Sequence, residues 1–402
     1  MRATFIVTIL LLGAGAGAPG QGPQPGRDYL VFVAAEAADR VSLVRFGPGG
    51  ARVERDIPIG LMPTDPDGPH GLTVSPDGRF LYVSTAHGNP YGYLWKLDAE
   101  TGRVLRRAEL GYFPATLQLT PDGAFAFVVN FNLHGDMVPS SVSVVATDSM
   151  FELTRIPTCV MPHGSRVTSD GARQYHACMM DDLVVEIDAR AFAVSRSFRV
   201  AKGAEQGFTG LPAAHASHPA DHAPRPTSHA PSCSPTWAQP SPDGATLWVA
   251  CNKANEIVEI DVGSWAVRRR LAAGEGVYNL GVTGDGKLLV ATNKRGQSIS
   301  LFDVATGKEL ARIATTRKIV HGVAISPDDR YAFISVEGIG SQPGTVEIID
   351  LRARARVAAV DVGQMAGGID VWKPAAGTPS RNDSLRRPLG TDPRKDSVDG
   401  SR

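Results

Sequence analysis

The sequence predicts an all-β protein, a seven-bladed β-propeller closed by N-terminal strands together with a C-terminal inner strand. Two observations lead there. A hairpin pattern recurs six times: HGLTVSPDGRFLYVST, ATLQLTPDGAFAFVVN, HGSRVTSDGARQYHAC, TWAQPSPDGATLWVAC, YNLGVTGDGKLLVAT and HGVAISPDDRYAFISV. The residues opening its turns are Ser75, Thr120, Thr168, Ser241, Thr283 and Ser326, in steps of 45, 48, 73, 42 and 43 residues. Behind the hairpins come a third strand closing on Asp, a turn and a fourth strand, as in YLWKLDAETGRVLRRAEL and IVEIDVGSWAVRRRLAAG. Alternating apolar residues between Gly-rich turns mark strands. Four short strands per period describe a propeller blade.

In chain order, residues 1–18 read as a secretory signal peptide: Arg2, an apolar run from Phe5 to Leu12, and small residues fitting cleavage after about position 16–18. That run is too short for a membrane span. The propeller is expected over 28–373. Residues from Asp28 supply three strands without an inner one, and GGIDVWK (Gly367 to Lys373) supplies an inner strand with nothing after it, so together they complete a seventh blade. Closure removes exposed strand edges. The tail, 374–402, is polar and Pro/Gly/Ser-rich and is expected to be disordered. Lys+Arg and Asp+Glu number 41 each, so net charge draws the protein to neither nucleic acid nor an anionic membrane. Export implies a periplasmic or secreted protein, expected to be a monomer, whose four cysteines meet an oxidising compartment.

The S-P-D-G turns, the second strands and the I-x-E-I-D strands resemble the YVTN-type β-propeller repeat family, over about Asp28 to Lys373. Its relatives include surface-layer-like proteins, the haem-carrying propeller of a nitrite reductase and quinoprotein-associated propellers. The resemblance therefore implies a fold and leaves the function open.

Five residues before each turn-opening residue, an inner strand begins: His70, Ala115, His163, Thr236, Tyr278 and His321, with Gly367 in the composite blade. These residues should ring one mouth of the central channel. Histidines in the first, third and sixth repeats would then converge, which suits copper or zinc. The competing reading is that each His-Gly caps a strand by bonding a neighbouring blade. Loops between second and third strands add His87, His134, the run Cys178-Met179-Met180-Asp181-Asp182, Cys251-Asn252 and Glu337 on the same face. Soft Cys and Met ligands would favour copper; the plainer role for Met179 and Met180 is packing. The over-long step holds a His/Pro-rich insert, 203–232, with His215, His218, His222 and His229, expected as a loop over the channel mouth that either binds metal or is flexible and unselective.

Reflecting each hairpin about its turn sets Cys251 near Cys233 and Cys178 near Cys159. Two intra-blade disulfides, Cys159 with Cys178 and Cys233 with Cys251, are expected, and if they form no thiolate is left for a metal. The sequence contains no nucleophile elbow, no phosphate-cradling Gly loop, no H-E-x-x-H and no C-x-x-C-H. Three functions remain: a metal site, copper favoured, with a redox or metal-handling role; a noncatalytic propeller binding a protein or small molecule at its mouth face; and a haem- or quinone-linked oxidoreductase component.

Overall fold

The turns explain why the repeats fold alike. Ser75 Oγ donates to Asp77 Oδ1 at 2.5 Å and accepts the Phe80 amide at 2.8 Å. The same pair of bonds recurs at Thr168 and at Ser326. The turn also needs a left-handed residue: Gly78 and Gly171 sit at φ of 71° and 69°, and in the sixth repeat Asp329 takes the position at 56°.

The computed structural model describes residues 25–61, 66–87, 91–213 and 230–373. The expected signal peptide and tail, and His215, His218, His222 and His229, lie outside these. Strands in a propeller arrangement make up the described chain, which holds no helix long and apolar enough to cross a membrane. Among the described residues there are five separate four-stranded sheets and one of nine strands. The first repeat runs outward as Pro69–Val74, Phe80–Thr85, Tyr93–Asp98 and Val104–Glu109. In the composite sheet, Ala366–Trp372 pairs antiparallel with Tyr29–Ala35, followed by Arg40–Gly47 and Gly50–Pro58. Apolar residues of adjoining sheets interleave; Tyr29 and Phe46 of the composite sheet pack with Tyr331 and Phe333 of the sixth repeat.

The nine-stranded sheet departs from the expected set of separate blades. It joins the third and fourth repeats through a parallel bridge, Gly164 to Trp237, between inner strands Pro162–Val167 and Pro235–Pro240. Gly164 has no side chain to hold Trp237 away; a Cβ there would overlap the indole. The described start of the insert also departs from expectation. Gln206–Thr209 is not a loop over the mouth but an extra strand on the outer edge, paired with Ala193–Arg199. Phe208 and Leu211 pack there against Cys159 and Cys178. Both expected disulfides are present, Cys159–Cys178 and Cys233–Cys251, as suits an oxidising compartment.

Neighbouring inner strands are tied by one recurring bond. The carbonyl of the strand-start residue accepts a hydrogen bond from the preceding sheet: Ala115 O from Ser84 Oγ (2.5 Å), His163 O from Thr116 Oγ1 (3.0 Å), Tyr278 O from Thr236 Oγ1 (2.7 Å), His321 O from Thr292 Oγ1 (2.9 Å) and Gly367 O from Ser335 Oγ (2.5 Å). At Thr236 O the donor is instead an imidazole, His163 Nδ1, at 3.0 Å. Close approach explains the Gly after each strand-start His. A Cβ on Gly71 would overlap Ala115 O, and one on Gly322 would stand 2.7 Å from Gly367 O.

Closure rests on Trp372, whose Nε1 donates to Gly78 O at 2.8 Å while its ring lies 5.3 Å from that of Phe32. Trp372→Ala should cost about 3–5 kcal/mol, read from denaturant midpoints. A loss under about 1 kcal/mol would mean that the terminal strand does not hold the ring shut.

Candidate functional site

The strand-start positions bring three histidines to the channel mouth. All three are buried: His70 at 8%, His163 at 0% and His321 at 5% exposure. The His70 ring centre lies 6.1 Å from that of His163 and 5.6 Å from that of His321. Tyr278, at the same position of the fifth repeat, stands between the other two, its hydroxyl 3.1 Å from His163 Nε2 and its ring 4.9 Å from that of His321.

The hydrogen bonds fix which nitrogens are bases. Thr236 O can only accept, so His163 carries its proton on Nδ1, and Nε2 receives the Tyr278 O–H. His70 Nδ1 faces Glu36 Oε2 at 2.6 Å, leaving a buried Nε2 without a protein partner among the described residues. His321 likewise has an unpartnered Nδ1, with its Nε2 3.8 Å from Glu337 Oε1. Burial pushes the His163 pKa down to about 3, helped by the nearby His70, and burial with Lys294 pushes His321 well down. Both are neutral imidazoles, the form that can donate a lone pair.

Around them lies a charged frame, of which the sequence indicated Glu337 and His87 but neither Glu36 nor Lys294. Glu36, on the 3-10 turn Glu36–Ala38, also takes His87 Nε2 at 2.5 Å. Burial alone would raise its pKa, but the His70 charge and the hydrogen bonds from His70 and His87 outweigh that and hold it well below the usual range. The Glu36 bond in turn raises His87. Lys294 Nζ pairs with Glu337 at 2.8 Å and sits 4.3 Å above the Tyr278 ring. Lys294 occupies the second-to-third-strand loop of the fifth repeat, the loop class that contributed His87 and Glu337, and that was its available signal. Glu36 had none, because its partners are 34 and 51 residues away.

Other candidates fall as follows. His134 lies tilted over His87 and edge-on to Phe113, 5.4 and 5.3 Å between ring centres, and belongs to no ligand cluster among the described residues. Met179 lines the mouth cavity and, with Met180, packs on Phe113 and Phe131. Asp182 accepts the amides of Ser232, Cys233 and Ser234, so the acidic pair serves the backbone. Asn252 binds Arg295 and the carbonyls of Gly276 and Val277. Cys178 is bridged, which removes the thiolate that favoured copper over zinc. Among the described residues, Cys159, His176 and Cys178 bring three ligand atoms within 4.8 Å; with the sulfurs bonded to each other, that set offers one imidazole. The nitrogens of His70, His163 and His321 form no such close set, whereas ligands about 2 Å from one ion lie within about 4 Å of each other. The donor chemistry fits an imidazole-binding metal, and a shared ion would draw the three rings closer.

Two cavities meet at the histidines. The mouth cavity, about 570 Å³, has an apolar wall that includes Phe113, Phe131, Leu133 and Ile319 over a floor of His70, His163, Tyr278 and His321. The channel cavity, about 250 Å³, begins on the other side of His70 and His321.

No protein-family model and no curated protein sequence matches the chain. Solved structures do. A Kuenenia stuttgartiensis hydrazine synthase chain superposes with a TM-score of 0.58 at 23% identity, covering 74% of this chain and 88% of that one. A functionally unknown protein from Desulfotomaculum acetoxidans superposes with a TM-score of 0.62 at 15% identity, covering 86% and 99%. The likeness is one of fold. At these identities it assigns no chemistry to the mouth residues.

The neutral histidines set a pH dependence. His163 and His176 are both held near pKa 3 by burial, so between pH 6.5 and 3 the unfolded chain binds protons there that the folded chain does not. Stability should therefore fall as pH drops from 7 to 5, each such histidine adding up to about 1.4 kcal/mol per pH unit. His163→Gln should flatten the slope of denaturation midpoint against pH by one such contribution; an unchanged slope would show that His163 is charged in the folded protein.

Proposed function

We propose that this protein is an exported seven-bladed propeller of the YVTN type that binds a transition-metal ion, copper or zinc, at its channel mouth through His70, His163 and His321, in a redox or metal-handling role. The blade count takes the nine-stranded sheet as two blades meeting at one bridge. The observation carrying the metal reading is that His70 and His163 each have Nδ1 engaged, by Glu36 and Thr236, which leaves Nε2 for an ion: unpartnered at His70, and at His163 in exchange for the Tyr278 hydroxyl. An anchored outer nitrogen is how metal-ligating histidines are oriented and made more basic. When bound, the ion would supply Lewis acidity or a redox couple. The chain's own part is to hold neutral imidazoles, to shield them beneath Phe113 and Phe131, and to place the Glu36 and Glu337 carboxylates nearby against the ion's charge.

The test is metal titration of chelator-treated mature protein. Cu(II) or Zn(II) should bind at one ion per chain and raise the thermal midpoint; at a hundredfold excess over Kd the stabilisation is about 2.7 kcal/mol. The double variant His70→Ala/His321→Ala, which keeps the His163–Thr236 link, should lose both effects. Equal binding by the variant, or none by the wild type, overturns the reading.

A second reading has its own observation. The apolar wall and 570 Å³ volume of the mouth cavity suit a small organic ligand resting on the histidine floor. Metal-free protein that still binds such a ligand would favour it.

A further inference from the structure

The channel cavity holds a cation with no ion-pair partner among the described residues. Arg166 projects from the inner strand Pro162–Val167 into the cavity, which inner strands of every sheet line. Its guanidinium lies 4.4 Å from the centre of the Trp237 ring, and Nη1 donates to Ser165 O at 2.9 Å. That single bond leaves most of the five donors of the fork unused. The other charged residue lining the cavity, Asp370, is committed elsewhere: Oδ2 accepts from Val74 N–H (2.9 Å) and Thr73 Oγ1 (3.1 Å), and Oδ1 from Val371 N–H (2.8 Å). Burial lowers the Arg166 pKa to about 10 and raises that of Asp370, the expected response of charges that lack close partners.

A second donor faces the same space. Gln118 also lines the cavity, and its Oε1 is occupied by the Val167 amide at 2.8 Å, so its NH2 is the group left to donate. The contact with the Trp237 ring and the bond to Ser165 O hold the guanidinium in the cavity, and its planar fork suits two-point recognition of an oxyanion. The volume of about 250 Å³ admits a small ligand and its hydration water, since each water takes about 30 Å³.

We propose that the central channel carries a binding site for a small carboxylate or planar oxyanion, held by the Arg166 guanidinium with the Gln118 amide as second donor. The site lies on the far side of His70 and His321 from the mouth cavity and does not depend on a metal there.

The experiment is calorimetric titration of metal-free, full-length protein with sodium acetate and, separately, sodium nitrate in a chloride-free buffer, beside the same salts' effect on the thermal midpoint. Wild type should show saturable binding of one anion per chain. Arg166→Gln should weaken it at least tenfold and abolish the thermal shift, while Arg166→Lys, which keeps the charge and loses the fork, should fall in between. Circular dichroism establishes that each variant is folded; if Arg166→Gln is not, Arg166→Lys against wild type carries the test. Absence of saturable binding to wild type, or equal affinity in a folded Arg166 variant, would overturn the proposal. Since metal is absent throughout, its outcome is separate from that of the histidine site.

Discussion

The bond on which the rest depends is the one that lands on each strand-start carbonyl. A propeller blade packs on its neighbours mostly through apolar side chains, which fix distance but leave sliding along the strand cheap. A directional hydrogen bond from Ser84, Thr116, Thr236, Thr292 or Ser335 to the next inner strand removes that freedom near the channel. Register fixed there decides what faces the mouth. The carbonyls of His163, Tyr278 and His321 are held in this way, and their side chains meet that of His70 at one level of the channel.

His163 shows how closely structure and chemistry share these positions. It supplies the blade link that elsewhere comes from a hydroxyl, and the same bond settles its tautomer. The capping bond does not exclude the proposed ligand role for this residue, since it leaves Nε2 as the nitrogen that would face an ion. At His70, Glu36 anchors the ring from the composite sheet instead. A carboxylate so deeply buried is costly unless well bonded, and two imidazoles answer that cost, so Glu36, His70 and His87 stand or fall as one unit.

Much of this was legible in the sequence, because the repeat converts position into place. Counting back from Ser75 or Ser326 found the strand starts to within one residue of where the strands begin. Reflecting the hairpins found both disulfides. What stayed hidden was whatever the repeat does not index. Glu36 reaches His70 from a turn peculiar to the composite sheet. Gln206–Thr209 pairs on an outer edge, where an insert free of the periodic pattern found a strand to extend. The joining of two sheets at Gly164 depends on the absence of one side chain, a fact that a turn-and-strand pattern does not weigh. Tyr278 was placed at the mouth by its repeat position, but its role depends on the hydroxyl meeting His163 Nε2, a contact between the third and fifth repeats that the pattern does not encode.

The histidine level is also a partition. His70 and His321 line both the mouth cavity and the channel cavity, so whatever occupies one side is felt on the other through the same two rings. On the mouth side the frame is Glu36, Glu337 and Lys294; on the channel side it is Arg166 and Asp370. The two charged sets, Glu36 buried and the others partly so, face each other across the histidine rings, where screening is weaker than in bulk water. An ion bound at the mouth would therefore alter the field at Arg166, and an anion at Arg166 would alter the field at the histidines. By linkage, any such effect must be equal in both directions. The two proposed sites would thus be independent in composition yet coupled through the rings that line both.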